Sequence, residues 1–456
     1  MKIDAEMKHY FRFFCNLLLT VLVTGMFVFV WTRFLSPLVH SNTLEGYTGW
    51  GTWLVIYVLL YCIMSHSFHG TRIGVERLSN IIAAQIITLT ITNMMEFLIS
   101  ILLIGQWRHL GVVVLCFIGL LLAQSFAVSL IVFLMVRIYI KIFPALQIIE
   151  VYGDYENNLC QKVNVLKHKY HVREHVRYDS ENLRDRIAEY DAVLINDIPD
   201  EKRNKILKYC FNHNKRVYFI PKISDILVKQ SERLNLIDTP MCLNRNNGIS
   251  RVESFFKRVF DIVSSAMLLI IASPIFAVTA IAIKLNDGGP VFFRQERCTI
   301  NCKKFMILKF RSMIVDAEKD GKSHPAGEYD DRITKVGRVI RATRIDELPQ
   351  LINILKGDMS VVGPRPERVE HVEHYTEMIP EFSLRSKVKG GLTGYAQVFG
   401  KYNTTALDKL KMDLIYVTNF SLLLDLQIII ETFKILFRKE STEGFSEERA
   451  KEMHDA

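Results

Sequence analysis

The sequence predicts a membrane protein in three parts: an α-helical transmembrane bundle, a Rossmann-like α/β domain, and an α-rich monotopic domain with a re-entrant membrane helix. Three observations predict it. Four apolar stretches, at about 13–36, 49–68, 81–105 and 110–140, crowd the first 145 residues of a 456-residue chain. Strand-like and helix-like segments then alternate up to about residue 245. A fifth apolar run, Ile262 to Ile283, carries no charge and is interrupted by Ser273-Pro274.

Each of the four N-terminal stretches is roughly the 20 residues that a helix needs to cross a bilayer. A secretory signal peptide fits poorly, because no small-residue cleavage site follows the first stretch. Lys2, Lys8 and Arg12 precede the first span, Arg72 and Arg77 separate the second from the third, and Arg137 and Lys141 follow the fourth. The loop after span one has no Lys or Arg, and the loop after span three has only Arg108. Positive charge marks the cytoplasmic side, so both ends of the 1–145 region are expected there. The expected location is a membrane, multi-pass, with the later domains on the cytoplasmic face.

The net charge of +9 is accounted for by basic residues that flank membrane segments and meet anionic headgroups. No basic stripe interleaved with aromatics points to nucleic acid. The eight cysteines are scattered, and a cytosolic remainder implies free thiols. Cys298 and Cys302 form C-x3-C without a second ligand pair at zinc spacing. His371 and His374 are explained as well by a surface helix face.

Residues 146–245 read as LQIIEVYG strand, NNLCQKVNVLKHKY helix, VREHVRYD strand, ENLRDRIAEY helix, DAVLIND strand, DEKRNKILKYCFNHN helix and KRVYFIPK strand. Alternation of this kind argues for a parallel sheet. The turn after the first strand is GDYENN, without G-x-G-x-x-G, so a pyrophosphate cradle is not evident. A regulatory or dimerising role is expected for this domain, and with the spans it offers surface for a homodimer. TPMCLNRNNGIS reads as a polar linker into the last part, 246–456.

The fifth run, within a segment of about 258–285, has Arg251, Lys257 and Arg258 before it and Lys284, Arg294 and Arg297 after it. Positive charge at both ends suits a segment that enters and leaves by one face. Pro274 removes a helical hydrogen bond, and the Ser273 hydroxyl can satisfy the carbonyl it frees. A helix–break–helix hairpin is therefore expected, holding the last domain against the lipid.

Residues 330–367 are the densest polar region. RIDELPQLINILKGD reads as a helix start, with Asp346 near the N-cap, where the helix dipole favours an ionised carboxylate suited to a nucleophile. Glu347 beside it could hold Mg2+ through an oxygen. Arg341 and Arg344 lie just upstream, and KFRS (Lys309 to Ser312, with Arg311) lies earlier. VGPRP follows, in which Pro364 and Pro366 stiffen the backbone around Arg365. Guanidinium groups around paired carboxylates suit an anionic phosphate substrate.

FKRVFDIVSSAMLLIIASPIF, GPVFFRQER, FMILKFRSM, TRIDELPQLINILKGDMSVVGPRPE and GLTGYAQVFG occur in one order. Together they resemble the bacterial sugar transferase family, the polyprenyl-phosphate glycosyl-1-phosphate transferases, over about residues 252–445. The whole chain resembles that family's long form. The resemblance implies transfer of a sugar-1-phosphate from a UDP-sugar donor to undecaprenyl phosphate, with UMP released, at the start of exopolysaccharide, capsule or O-antigen synthesis. It implies Asp346 as nucleophile, Glu347 as Mg2+ partner, Arg341 for phosphate, Pro364-Arg365-Pro366 on the uridine side, and Ser273-Pro274 as the re-entrant break. GGLTGYAQ departs from the family's usual pattern, with a glycine for proline and Tyr395 for tryptophan, which bears on local substrate contacts. The rival class is a membrane-bound, nucleotide-sensing regulator of polysaccharide synthesis, for which the carboxylate pair and PRP loop would be dispensable. The identity of the sugar is not written in these motifs.

Overall fold

A computed structural model describes residues 2–38, 47–76, 78–105, 107–154, 159–164, 169–229, 231–244, 248–315, 317, 330–400 and 404–436. The expected charged tail, 442–456, lies outside them, as do Arg77, Arg438 and Lys439. The chain divides into two compact units, Met1–Ile220 and Pro221–Ala456.

The first unit opens with four helices: α1 (Lys2–Val30), extended by tighter and wider turns to Leu38, α2 (Tyr47–Ser67), α3 (Leu78–Ile104) and α4 (Leu110–Ile142). Their shared core is apolar and aromatic, with Phe27 stacked on Tyr57 at 4.0 Å between ring centres. Polar side chains inside it are paired. Gln124 donates to the Tyr57 hydroxyl and to the Val23 carbonyl, and accepts from Asn93 at 2.7 Å, so all four helices share one network. Leu102, Leu115, Leu122 and Phe126 face outward, exposed. Among the described residues four helices are long and apolar enough to cross a membrane: α1, α3, α4 and a helix of the second unit, α9. The described apolar part of α2, Trp53–Ser67, is shorter.

The sheet follows as β1 (Leu146–Tyr152), α5 (Leu159–Asn164), β2 (Tyr170–Arg177), α6 (Leu183–Ala188), β3 (Ala192–Asn196), α7 (Asp200–Asn212) and β4 (Arg216–Phe219). All four strands are parallel, in the order β2-β1-β3-β4. The central strand β3 is buried along its length, as expected where helices cover both faces.

The second unit begins with α8 (Ile223–Lys229), whose Ile226 packs with Phe382, Leu410 and Leu414. β5 (Glu232–Leu236) and β6 (Thr239–Leu243) form an exposed antiparallel hairpin. The expected linker from Thr239 is thus partly strand. Then come α9 (Arg251–Asp287), β7 (Phe292–Cys298), β8 (Lys304–Phe310), α10 (Lys335–Ala342), α11 (Gln350–Lys356), β9 (Ser360–Val362), α12 (Val369–Met378), β10 (Gly391–Thr393), α13 (Tyr395–Phe399), α14 (Ala406–Thr418) and α15 (Leu422–Leu436).

A capping box of Ser250 and Glu253 starts α9, and Gly288 at φ 68° ends it. The helix runs without interruption through the expected break. Pro274 cannot donate to the Ile270 carbonyl, and the Ser273 hydroxyl does so instead, at 2.8 Å. Lys257, Asp261, Ser265, Ala272, Thr279 and Ile283 form a buried stripe on both sides of the proline, while Ile262, Ile270, Ile271 and Val278 are exposed. Polar residues lock the inner stripe. Lys257 donates to Asp425 at 2.6 Å and to the Val362 carbonyl at 3.0 Å. Asp261 accepts from Ser360 and from the Val361 amide.

Candidate active site

The site is assembled from β7, β8, the turn before α11 and the loop after β9. In the β7–β8 hairpin Phe293 faces Lys309 and Arg297 faces Phe305. Strand alternation therefore sets Lys309 and Arg297 on the same face as buried Phe305 and Ile307. Asn353 of α11 accepts from the Leu308 amide and donates to the Met306 carbonyl, both at 2.9 Å. Arg258 of α9 caps the other end of α11 through the carbonyls of Ile354 and Leu355. These bonds hold the helix that follows the carboxylate pair in register with β8.

Asp346 and Glu347 sit in a one-turn 3-10 segment, Ile345–Glu347, and α11 begins only at Gln350. Asp346 is thus not an N-cap, and Arg344 before it is held left-handed at φ 59°, a conformation that costs a non-glycine residue about 1–3 kcal/mol. Glu347 Oε1 accepts from Arg365 at 3.0 Å and lies 3.4 Å from the Lys309 ammonium. The two carboxyls are pushed apart. Burial would raise Glu347, but Arg365, Lys309 and Arg344 outweigh it and hold it well below the usual carboxylate range. Asp346 is raised, by burial and by the Glu347 charge, against the pull of Lys309, Arg341 and Arg344. The expectation that the helix dipole keeps Asp346 readily ionised gives way to this burial.

Around the pair the cations converge. Arg365 stands in a loop fastened at several points: its carbonyl accepts from Arg385 at 3.0 Å, the Pro364 carbonyl from the Gly391 amide at 2.9 Å, and the Pro366 carbonyl from Arg297 at 3.2 Å. Arg385 in turn is held by Asp413, and Glu367 by Lys409. Gly394 allows closeness here, because a Cβ on it would overlap the Gly363 carbonyl. Arg341, on α10, has a buried Nη1 with no hydrogen-bond partner among the described residues. Such an orphan is costly unless a ligand completes it.

Of the residues expected from the sequence, Asp346, Glu347, Lys309 and Arg365 come together, Pro364 and Pro366 brace Arg365, and Arg341 acts on Asp346. Arg311 does not join them. Its side chain is spent on a bidentate pair with Asp287 and on the Pro290 carbonyl, tying the end of α9 to β8. Ser273 and Pro274 lie on α9. Arg297 was missed as a site residue because it read as a membrane-flanking charge. Burial and the neighbouring Arg365 charge lower it to about 10. Asn353, a polar residue on an apolar helix face, was the available signal for the bracing.

Glu347 Oε1 carries both cations, which leaves Oε2 without a hydrogen bond among the described residues. With Asp346 adjacent, this hard oxygen donor set fits Mg2+ shared with phosphate oxygens. Cys298, Cys302, His371 and His374 fall in no group of three metal-capable side chains among the described residues.

A buried carboxylate pair walled by cations thus lies on a domain that also carries a helix long and apolar enough to cross a membrane. The signature of the family described as bacterial sugar transferase matches residues 252–439. A UDP-glucose:undecaprenyl-phosphate glucose-1-phosphate transferase of Klebsiella pneumoniae is 43% identical over 239 residues, 49% of this chain and 50% of that one. A UDP-N-acetylgalactosamine-undecaprenyl-phosphate N-acetylgalactosaminephosphotransferase of Aeromonas hydrophila is 38% identical over 256 residues, 54% of this chain and 59% of that one. A UDP-glucose:undecaprenyl-phosphate glucose-1-phosphate transferase of Caulobacter vibrioides is 41% identical over 191 residues, 41% of this chain and 71% of that one. The chain belongs to the bacterial sugar transferase family. It spans about half the length of the first of these relatives.

Proposed function

We propose that this protein transfers a sugar-1-phosphate from a UDP-sugar to undecaprenyl phosphate and releases UMP, as the initiating step of a surface polysaccharide. The observation that carries the reading is the Asp346–Glu347 pair among Lys309, Arg365 and Arg341, whose buried Nη1 has no hydrogen-bond partner among the described residues. An Asp346 carboxylate oxygen attacks the sugar-side phosphorus, the bond to UMP breaks, and a phosphosugar–aspartyl ester forms. An oxygen of the lipid phosphate then attacks the same phosphorus, freeing Asp346 and leaving a diphosphate-linked sugar on the lipid. Lys309, Arg365 and Arg341 stabilise the phosphoryl oxygens through both steps. Mg2+ on Glu347, when bound, supplies further charge neutralisation at those oxygens. Incubation with the donor but no lipid acceptor is expected to add the mass of one sugar phosphate to Asp346. A modified peptide elsewhere, or none during UMP release, would refute the covalent route.

The proposal includes the membrane course of α9: it enters and leaves the bilayer by the cytoplasmic face. Three features support this. The buried stripe continues on both sides of Pro274. The first half packs with α11 and β9, and the second, at Phe276 and Ile283, with Phe310 and Ile340 of the same unit. Basic residues flank both ends. Cysteines placed at Ser254 and Asp287, with native cysteines replaced, should react with an impermeant thiol reagent from one side of sealed vesicles. Reaction from opposite sides would mean a spanning helix.

A further inference from the structure

Polar side chains of different chemistry meet near the C-terminal ends of the parallel strands in residues 1–220. Glu150 lies late in β1, His175 pairs with it across the ladder from β2, and Asn196 ends β3. Strand alternation sets Glu150 on the face of Ile148. The start of α5 covers that face with Leu159, Cys160 and Val163. Glu150, Cys160 and His175 each offer one ligand atom, and the three atoms lie within 4.8 Å of one another. Cys160 Sγ is 3.8 Å from His175 Nε2, and His175 Nδ1 is 2.6 Å from Glu150 Oε2. Asn196 donates to Glu150 Oε1 at 2.8 Å.

A hydrogen-bonded network alone answers the Glu150 charge poorly. Its side chain is buried, and half-exposed His175 is its one ion-pair partner among the described residues. A buried carboxylate is costly without a compensating charge. A divalent cation supplies it, because a thiolate, a carboxylate and a neutral imidazole around such an ion sum to zero. The donor set selects the ion. Mg2+ and Ca2+ take oxygen ligands, whereas Zn2+ accepts Cys, His and Glu together. Bonds of about 2.0 Å to nitrogen and about 2.3 Å to sulfur set two ligand atoms about 3.5 Å apart. The sulfur and Nε2 are near that separation, and the half-exposed imidazole has room to turn. Asn196 orients the carboxylate from behind, as outer partners of metal ligands do. Open parallel sheets take their ligands beyond the C-terminal strand ends, where this group lies.

We propose that Glu150, Cys160 and His175 bind Zn2+ and tie α5 to the ends of β1 and β2. Three protein ligands leave a fourth position for water. The site shares no residue with the carboxylate pair and does not depend on the transfer reaction.

The test uses the full chain in nanodiscs, stripped of metal with a chelator that is then removed. Alkylation of individual cysteines by iodoacetamide is read by peptide mass spectrometry. Coordination withholds the Cys160 sulfur from attack, so its alkylation should slow about tenfold with free Zn2+ at ten times its Kd. Exposed Cys242, in no such group among the described residues, serves as the unchanged control. Mg2+ at the same concentration should protect neither. Co2+ in place of Zn2+ should give a thiolate-to-metal charge-transfer band that Cys160→Ser removes. The protection should vanish in His175→Ala. Asn196→Ala removes no ligand and should raise the Zn2+ needed for half-protection by about 10–100-fold. Equal Cys160 rates with and without Zn2+ overturn the proposal and leave a hydrogen-bonded network. Protection that survives in His175→Ala, that extends equally to Cys242, or that Mg2+ also confers overturns it as well.

Discussion

Lys309→Met removes the ammonium 3.4 Å from Glu347 Oε1 and keeps the length of the side chain on the inner face of β8. Arg365 remains at 3.0 Å, so Glu347 keeps one of two charge partners. At an effective dielectric constant near 20, unit charges at that separation interact by about 5 kcal/mol. The variant also escapes the cost of burying the ammonium. The net loss is nearer the value of one hydrogen bond to a charged group, about 1.5–3 kcal/mol. At about 1.4 kcal/mol per pKa unit, Glu347 should rise by about 1–2 units, and Asp346, on which Lys309 also acts, should rise with it. Glu347 starts far enough below its ordinary value to stay ionised. Asp346 already starts high, and Lys309 is the first of the charges opposing that rise. Because the attacking form is the carboxylate, activity falls as pH drops through the Asp346 pKa. The acidic limb of kcat for UMP release should therefore move to higher pH in Lys309→Met. An unmoved limb in a folded variant would refute the electrostatic account of the pair.

Other substitutions probe the scaffold. Lys257→Met leaves Asp425 buried with Tyr416 as its remaining donor, and should cost about 3–5 kcal/mol of domain stability in a detergent melt. Lys257→Met/Asp425→Leu should recover most of that loss, and a double variant no better than the single would contradict the pair. Burial would raise Glu367, yet Lys409 and Arg385 hold it at about 2 against an ordinary 4.5. Its contribution, about 3 kcal/mol, is present above the ordinary value and lost as pH falls toward the folded one. The stability gap between the protein and Glu367→Gln should accordingly close in acid. Arg311→Gln should lower stability with KM for the donor unchanged, because its donors hold Asp287 and Pro290; a KM effect in a stable variant would return Arg311 to the substrate.

The parts of the fold that were legible in the sequence are those set by local pattern. The helices α1 to α4 follow from membrane-length apolar runs, and β1 to β4 from short apolar runs between helical segments. The hairpin β5–β6 was hidden because every residue in it is exposed, so no alternation of burial marks it. Asp346, Glu347 and Arg365 were legible as motifs. Their ionisation was not, since it depends on how much water the fold removes and on Lys309, 37 residues away from Asp346 in the chain. Arg311 and Arg297 were exchanged for the same reason. A basic residue in a motif does not reveal whether its partner is a substrate or an aspartate such as Asp287. The serine-proline step was read correctly for its chemistry, with Ser273 bonding the freed carbonyl, whereas the helix itself continues through it.

The central claim is tested most directly by UMP release from purified protein with undecaprenyl phosphate, Mg2+ and a panel of UDP-sugars, with Asp346→Asn measured beside it. The account predicts UMP from one donor, stoichiometric with the enzyme without the lipid and catalytic with it, abolished by EDTA and absent in Asp346→Asn. Lipid-dependent UMP release that persists in the variant would contradict Asp346 as nucleophile. No UMP from any donor, with the protein folded and lipid present, would contradict the transfer reaction for these substrates.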